Sequence, residues 1–308
     1  MRLSTVILPI YRWTEGRSVW QRAEALGFHA GYTYDHLSWR SFRDRPWFGA
    51  VPTLAAAASV TARLRIGPLV VSPNFRHPVT VAKELMTLDD ISGGRLTIGI
   101  GAGGDGFDAS VLGQEPWSRR ERSDRFVEFV ALLDELLSQP STTATGAHYA
   151  AVEARMIPGG LQQPRPPLLV AATGPKGFEL AARFGGGWVT HGDPRPSPGA
   201  PASQAPEAVR TQLQGLEAAC ARAGRPFDSI DKVLLQGLTA ERPLVSLDAF
   251  VDWAGHYQTL GITELVVHWP VADSVFAADV AVFEQIATEG LAQLGSTPAP
   301  TAGGPSAG

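Results

Sequence analysis

The feature that most constrains this chain is an alternation: short β-branched runs give way to amphipathic helical patterns, over and over, as far as residue 294. Strands separated by helices pair in parallel, with each helix returning over the sheet face, so the alternation predicts repeated βα units. Leu3–Leu8 reads as the first strand, followed by a helix Val19–Leu26 whose Trp20, Ala23 and Leu26 share one face before Gly27 ends it. Strands are then expected at His29–Tyr34, Leu64–Val71 and Leu96–Gly101, with helices at Val51–Val60, Val79–Leu88 and Arg119–Leu137. Leu64–Val71 is apolar apart from Arg65, of the kind expected for a strand covered on both faces. The second half repeats the rhythm with strands Leu168–Ala172, Trp188–Thr190, Lys232–Gln236 and Glu264–His268. Its helices are Gly177–Phe184, Pro206–Ala223, Leu247–Leu260 and Val275–Leu294.

Eight strands in this arrangement predict an α/β fold of the (β/α)₈ TIM-barrel type, and 308 residues suit one such domain. The domain is expected over 1–294, with 295–308 a disordered Pro/Gly-rich tail. Two segments break the rhythm. Residues 141–165, rich in Gly, Pro and Thr, predict an insertion or short hairpin crossing the C-terminal mouth, and the Pro-rich stretch 191–205 predicts a lid or substrate loop there.

Composition narrows the function classes. Hydrophobic residues at 44% and charged residues at 18% supply a sizeable core. A net charge of −4 without a long basic run excludes the usual nucleic-acid footprint. Cys220 is the single cysteine, so no intrachain disulfide and no multi-thiolate zinc site can form, which fits a reducing cytoplasm. His191, Asp193, His256 and His268 occur singly, without ligand spacing, and no metal is expected. No signal-peptide core and no membrane-length apolar stretch is visible, so a cytoplasmic location away from membranes is expected.

Barrels of this kind carry chemistry at the C-terminal ends of their strands. Asp35 and His36 end the second strand, where a histidine suits proton transfer near pH 7 and an adjacent carboxylate can orient its ring; a polar strand cap is the alternative. The loop GAGGDG after the fourth strand, including Gly101 and Gly103, lets backbone approach a flat ring closely. Thr173, Gly174 and Pro175 lie between the fifth strand and its helix, where N-terminal N–H groups form a phosphate site. Lys176 either adds a charge there or is simply solvated.

Three segments, AEALGFHAGYTYDHLSW, RLRIGPLVVSPNFRHPVTVAKELMTLDDISGGRLTIGIGAGGDGFD and PPLLVAATGPKGFELAARFGGGWVT, resemble the luciferase-like monooxygenase superfamily, and DHLSW with SPNFRHP resembles its coenzyme F420-dependent branch. The resemblance implies a barrel holding F420, or alternatively FMN, over its strand ends. It further implies a proton-handling His36, with Trp39 either covering the reacting ring or serving as a core tryptophan. A non-proline cis peptide is expected at Leu69–Val70, against the back of the ring, with Ser72 and Asn74 near the cofactor's polar edge or ribityl chain. Arg76 either contacts the cofactor or pairs a barrel carboxylate. Sugar-phosphate dehydrogenases of this branch place a glutamate acid where this chain has Gly104; Asp105 is the nearest replacement and could simply fix the loop.

The expected function is a flavin/deazaflavin-dependent oxidoreductase, with F420-dependent hydride transfer to or from a small organic substrate preferred. The alternative is an FMNH₂-dependent monooxygenase using O₂ and a separate flavin reductase. A non-catalytic flavin-binding barrel is a third reading, against which His36 argues. The resemblance also implies a homodimer and leaves room for a separate F420 reductase.

Overall fold

The strands are short, four to six residues each, and the tertiary structure places a helix after nearly every parallel one. In this computed structural model, which describes residues 1–104, 106–192, 204–237 and 239–294, the chain runs β1 (Arg2–Val6), α1 (Trp13–Ala25), β2 (Ala30–Thr33), α2 (Ala50–Val60), β3 (Arg65–Pro68), α3 (Pro78–Ile91) and β4 (Ile98–Gly101). A short α4 (Asp108–Val111) and the long α5 (Arg119–Ser138) follow, then a two-stranded excursion, β5 (Ser141–Thr145) and β6 (Ala150–Arg155). The barrel resumes with β7 (Leu168–Ala171), α6 (Pro175–Phe184), β8 (Gly187–Thr190), α7 (Gln204–Arg222), β9 (Asp231–Leu235), α8 (Leu247–Thr259) and β10 (Glu264–His268), and ends in α9 (Val280–Gln285) and α10 (Leu291–Leu294).

Eight of these strands form one sheet in the order β3-β2-β1-β10-β9-β8-β7-β4, all neighbours parallel. Its two edges, β3 and β4, meet through bridges at Ile66–Leu96 and Val71–Ile100, which close the barrel below and above a bulge. Closure depends on two glycines. A Cβ on Gly67 would stand 1.7 Å from the Thr97 carbonyl oxygen, and one on Gly99 2.5 Å from that of Pro68. The closing strands are therefore spaced for hydrogen atoms only, and Thr97 N–H reaches Ile66 O at 2.9 Å across the seam.

The turn SGGR has a physical reason. Gly93 and Gly94 take φ of 64° and 79° to stop α3, the left-handed geometry glycine adopts without a Cβ penalty. Arg95 then donates to the carbonyls of Ala58, Thr61 and Leu64 at 2.8–3.1 Å, satisfying the C-terminus of α2 and tying it to the start of β3. Apolar material divides into a barrel interior, including Val6, Tyr32, Leu169, Val233 and Val266, and a larger shell between sheet and helices.

Three expectations are corrected. Residues 141–165 do form a hairpin, but both its ends lie on the N-terminal side of the barrel, after α5 and before β7. Its tip docks on the flank of α5, where Glu128 accepts the N–H groups of His148 and Tyr149 at 2.6–3.1 Å, so it packs outside the barrel instead of crossing the mouth. Helix α1 begins at Trp13, six residues before Val19, because buried Gly16 and Trp20 continue its apolar face backwards. The last helix begins only at Val280, capped by Asp279, and widens into a π-turn over Ile286–Gly290, where a Cβ on Gly290 would come within 2.6 Å of the Phe250 ring. No helix among the described residues is long and apolar enough to cross a membrane.

Candidate active site

At the C-terminal ends of β2, β3, β4, β7, β8 and β9 the loops enclose a cavity of about 550 Å³, the size of a cofactor or drug-sized ligand site. Of the residues picked out from sequence, His36, Trp39, Leu69, Val70, Ser72, Gly101, Gly103, Thr173, Gly174, Pro175 and Lys176 all line it. Asp35 and Asn74 do not.

His36 is held by a carboxylate the sequence reading passed over. Its Nδ1 lies 2.8 Å from Asp108 Oδ2, and Asp108 Oδ1 accepts the Leu37 N–H at 2.8 Å. An ionised carboxylate only accepts, so Nδ1 carries a proton, and the neutral tautomer this contact selects has its lone pair on Nε2. Asp108 is 1% exposed, at the first turn of α4, so the strand-end histidine and the post-β4 loop are fixed to one another. The indole N–H of Trp47 donates to the His36 carbonyl at 2.8 Å, fixing the backbone as well.

The expected pairing of Asp35 with His36 is corrected: Asp35 points the other way and takes Arg76 in a two-pronged contact of 2.7 and 3.0 Å. Consecutive strand residues face opposite sides, and here Tyr34 and His36 face the cavity while Asp35 faces the shell. The pair-forming reading of Arg76 is the one observed, with Glu84 as its second carboxylate at 3.2 Å. Arg76→Ala leaves an almost fully buried carboxylate without its partner. A loss of about 3–5 kcal/mol of stability is expected, read as a lowered urea midpoint.

Asn74 is likewise a scaffold residue. Its amide donates to the Gly104 carbonyl at 3.2 Å and sits beneath Gly103, whose φ of 74° and lack of a Cβ make room for it. Asn74, expected near a cofactor's polar edge, is engaged with the Gly loop and is not part of the cavity lining. Trp39 lines the cavity and also packs on Tyr34, Trp47 and Phe276 with ring centroids 5.2–6.2 Å apart, as a core tryptophan does.

The cavity has a wall suited to a flat ring. The Leu69–Val70 peptide is cis, and a Cβ on Gly101 would come within 2.9 Å of the Val70 side chain, so bulge and Gly loop meet closely. Ser72, 1% exposed, carries a hydroxyl with no hydrogen-bond partner among the described residues, which a bound ligand can supply.

Beyond β7, Gly174 caps α6 and Pro175 occupies its first turn, leaving the N–H groups that follow to face the cavity. The N-terminus of α5 adds Arg119, Arg122 and Ser123 to the same rim, residues not singled out from sequence. A signal was present: basic residues crowd a helix start, where they oppose the helix dipole. Lys176 lines the rim too, while its ammonium pairs with Asp124 at 2.6 Å. Thr173 with Arg119 and Lys176 therefore forms a cationic corner able to take a phosphate.

Under the floor, Tyr34 Oη and His268 Nε2 are hydrogen bonded at 2.7 Å, and the imidazole stacks on Phe276 with centroids 3.8 Å apart. Burial pushes the His268 pKa from 6.5 down to about 3. The native state therefore binds fewer protons than the unfolded chain throughout that window, so the contribution is intact above pH 6.5 and lost as pH falls. By pH 5 the loss is about 2 kcal/mol. His29, held down to about 4 by burial and by Arg2 and Arg65, adds to the same slope. His268→Asn should remove about 2 kcal/mol of the acid sensitivity between pH 7 and 5, measured by urea unfolding.

Asp105, Asp193, most of the Pro-rich stretch 191–205 and the tail 295–308 lie outside the described residues. His256 lies on α8, its ring 5.8 Å from that of Tyr257 and remote from the cavity lining. Among the described residues no three His, Cys, Asp or Glu side chains cluster as metal ligands.

A parallel eight-stranded barrel whose mouth carries a histidine–carboxylate pair, a cis bulge, a glycine-rich loop and a helix start around one cavity defines the class of (β/α)₈ barrels with a ligand-sized site at the strand ends. The chain belongs to the luciferase-like monooxygenase family, whose model matches residues 4–242. It is 37% identical over 174 residues to an F420-dependent glucose-6-phosphate dehydrogenase of Beutenbergia cavernae, covering 54% of this chain and 49% of that protein. It is 31% identical over 249 residues to the 4-hydroxyprotoasukamycin monooxygenase of Streptomyces nodosus subsp. asukaensis, covering 77% of this chain and 63% of that one. The matched region thus spans about half to two thirds of the length of these curated relatives. Among solved structures, the coenzyme F420-dependent tetrahydromethanopterin reductase of Methanopyrus kandleri superposes with a TM-score of 0.75 at 17% identity, covering 95% of this chain and 99% of that one, a likeness of fold.

Proposed function

We propose that the chain is a coenzyme F420-dependent oxidoreductase that transfers a hydride to or from a small organic substrate. The observation that carries this reading is the His36–Asp108 pair on the same cavity as the cis Leu69–Val70 bulge. The residues present fit a tricyclic ring with a phosphorylated side chain. The Ser72 hydroxyl is buried and unpartnered, and added Cβ atoms at Gly104, Gly106 and Gly174 would meet nothing within 4 Å. Ser72 and the Gly101–Gly103 backbone would hold the ring and ribityl edge. Thr173, Gly174 and the first N–H groups of α6 would hold the phosphate, with Arg119 and Lys176 adding charge.

When bound, the deazaflavin supplies two-electron hydride chemistry. In the oxidative direction His36 Nε2 accepts the proton of the substrate hydroxyl, and Asp108 stabilises the resulting imidazolium while keeping the ring's orientation. In the reductive direction the protonated ring returns that proton to the oxygen. The buried side chains of Trp39 and Leu69, with Val70 beside them in the lining, would exclude water there. Gly104 leaves no second acid in the described part of this loop, so His36 is the proton carrier in both directions.

FMN-dependent monooxygenation is the second reading, supported by the match to a monooxygenase over 77% of this chain. That reading entails a separate flavin reductase. Substrate-dependent turnover of F420 under strict anaerobiosis supports hydride transfer, and turnover that requires O₂ and reduced FMN overturns it. A cytoplasmic homodimer is part of the proposal; sedimentation at twice the chain mass is the expected result.

A further inference from the structure

The cavity is divided electrically. Its cations Arg119, Arg122 and Lys176 all stand at the starts of α5 and α6, and no carboxylate lines it among the described residues. The opposite side is lined by Tyr34, Trp39, Val189 and Leu235, with the polar side chains of Thr190 and His191 beside them. On that side Arg40 is the one arginine or lysine among the described lining residues, exposed at the rim with its guanidinium 5.5 Å from the centre of the Trp39 ring. Beneath this wall the ionisable group is His268, buried against Phe276 and bonded to the neutral phenol of Tyr34. Burial keeps that histidine uncharged at neutral pH, so among the described residues this side presents apolar surface with the Tyr34 phenol, the Thr190 hydroxyl and the His191 imidazole, and no lysine.

We infer that the substrate side of this cavity takes an uncharged organic alcohol or ketone with an apolar body, and rejects phosphorylated sugars. The inference rests on the cofactor reading above, which commits the cationic corner to the cofactor's phosphate. A second phosphate on that side would be a desolvated dianion facing Tyr34, Val189 and Leu235, with no lysine or arginine beside it among the described residues except Arg40 at the exposed rim, and such a group binds only where charge and hydrogen bonds compensate it. An apolar ring or chain, by contrast, gains from burial against Trp39 and Leu235, with its one oxygen at His36.

The test uses purified protein loaded with F420 and two probes, cyclohexanol and glucose 6-phosphate. Binding is read by saturation-transfer NMR and turnover by loss of deazaflavin absorbance. F420 binding is measured first, by fluorescence quenching. The expected result is saturation transfer to cyclohexanol that Trp39→Ala diminishes, with glucose 6-phosphate binding at least about 100-fold more weakly. Glucose 6-phosphate binding as tightly as cyclohexanol, or being oxidised in its place, overturns the assignment. So does F420-loaded protein that binds neither probe. Protein that fails to bind F420 at all overturns the cofactor reading and, with it, the commitment of the cationic corner on which the substrate class rests.

Discussion

His36→Ala is expected to lower kcat/KM by about 10²–10⁴-fold, the range for loss of a positioned general base, while F420 affinity changes little. The imidazole handles a proton and carries no cofactor phosphate, so the loss should fall on kcat. Asp108→Asn should follow in the same direction, by about 10²-fold or more. An amide can donate to the imidazole where the carboxylate could only accept, so the tautomer with Nε2 as base is no longer enforced. Asp35→Asn provides the contrast: Asp35 is bound to Arg76 outside the cavity, and its replacement should lower stability more than kcat. Steady-state kinetics and urea unfolding on the three variants separate these outcomes. A catalytic loss in Asp35→Asn that exceeded the loss in Asp108→Asn would reverse the assignment of the dyad.

The second large effect is structural. Gly67→Ala places a methyl carbon 1.7 Å from the Thr97 carbonyl oxygen, inside the seam where β3 meets β4. Neither strand can retreat without breaking the Ile66–Leu96 bridge, and the adjoining bulge forms the wall of the active site. A destabilisation beyond about 4 kcal/mol is expected, enough to abolish the cooperative thermal transition of a marginally stable domain. Gly174→Ala is the control. A Cβ there meets nothing within 4 Å and its φ of −146° is ordinary extended backbone, so the variant should melt close to the parent. Circular dichroism melts of the pair check both statements.

Much of the barrel was legible in the sequence because its signals are local. Glu264–His268 was located to the residue, and the strands at β3 and β4 were marked by apolar runs bounded by Gly and charged residues. The loop before α6 could be read because glycine followed by proline at a helix start limits what the backbone can do. The cis bond at Leu69–Val70 came from family resemblance, with no local rule behind it.

What escaped the reading was decided by tertiary contact. Asp108 is separated from His36 by 72 residues, and nothing in GDGFDAS distinguishes a ring-orienting carboxylate from an ordinary first-turn aspartate. Asp35 adjoins His36 in sequence but not in space, because a strand's period of two sends neighbours to opposite faces. The hairpin at 141–155 was placed at the mouth because it interrupts the rhythm. Its docking on the flank of α5 follows from Glu128, whose backbone-capping contacts carry no sequence signature.

The central claim, a deazaflavin seated between the His36–Asp108 pair and the start of α6, meets its most direct test in a fluorescence titration of the purified protein with F420 and, in parallel, with FMN. Saturable F420 binding in the micromolar range or tighter, weakened about tenfold or more when Arg119 and Lys176 are both replaced by Ala, is the expected result. Tight FMN binding with no saturable response to F420 is the result this assignment does not survive.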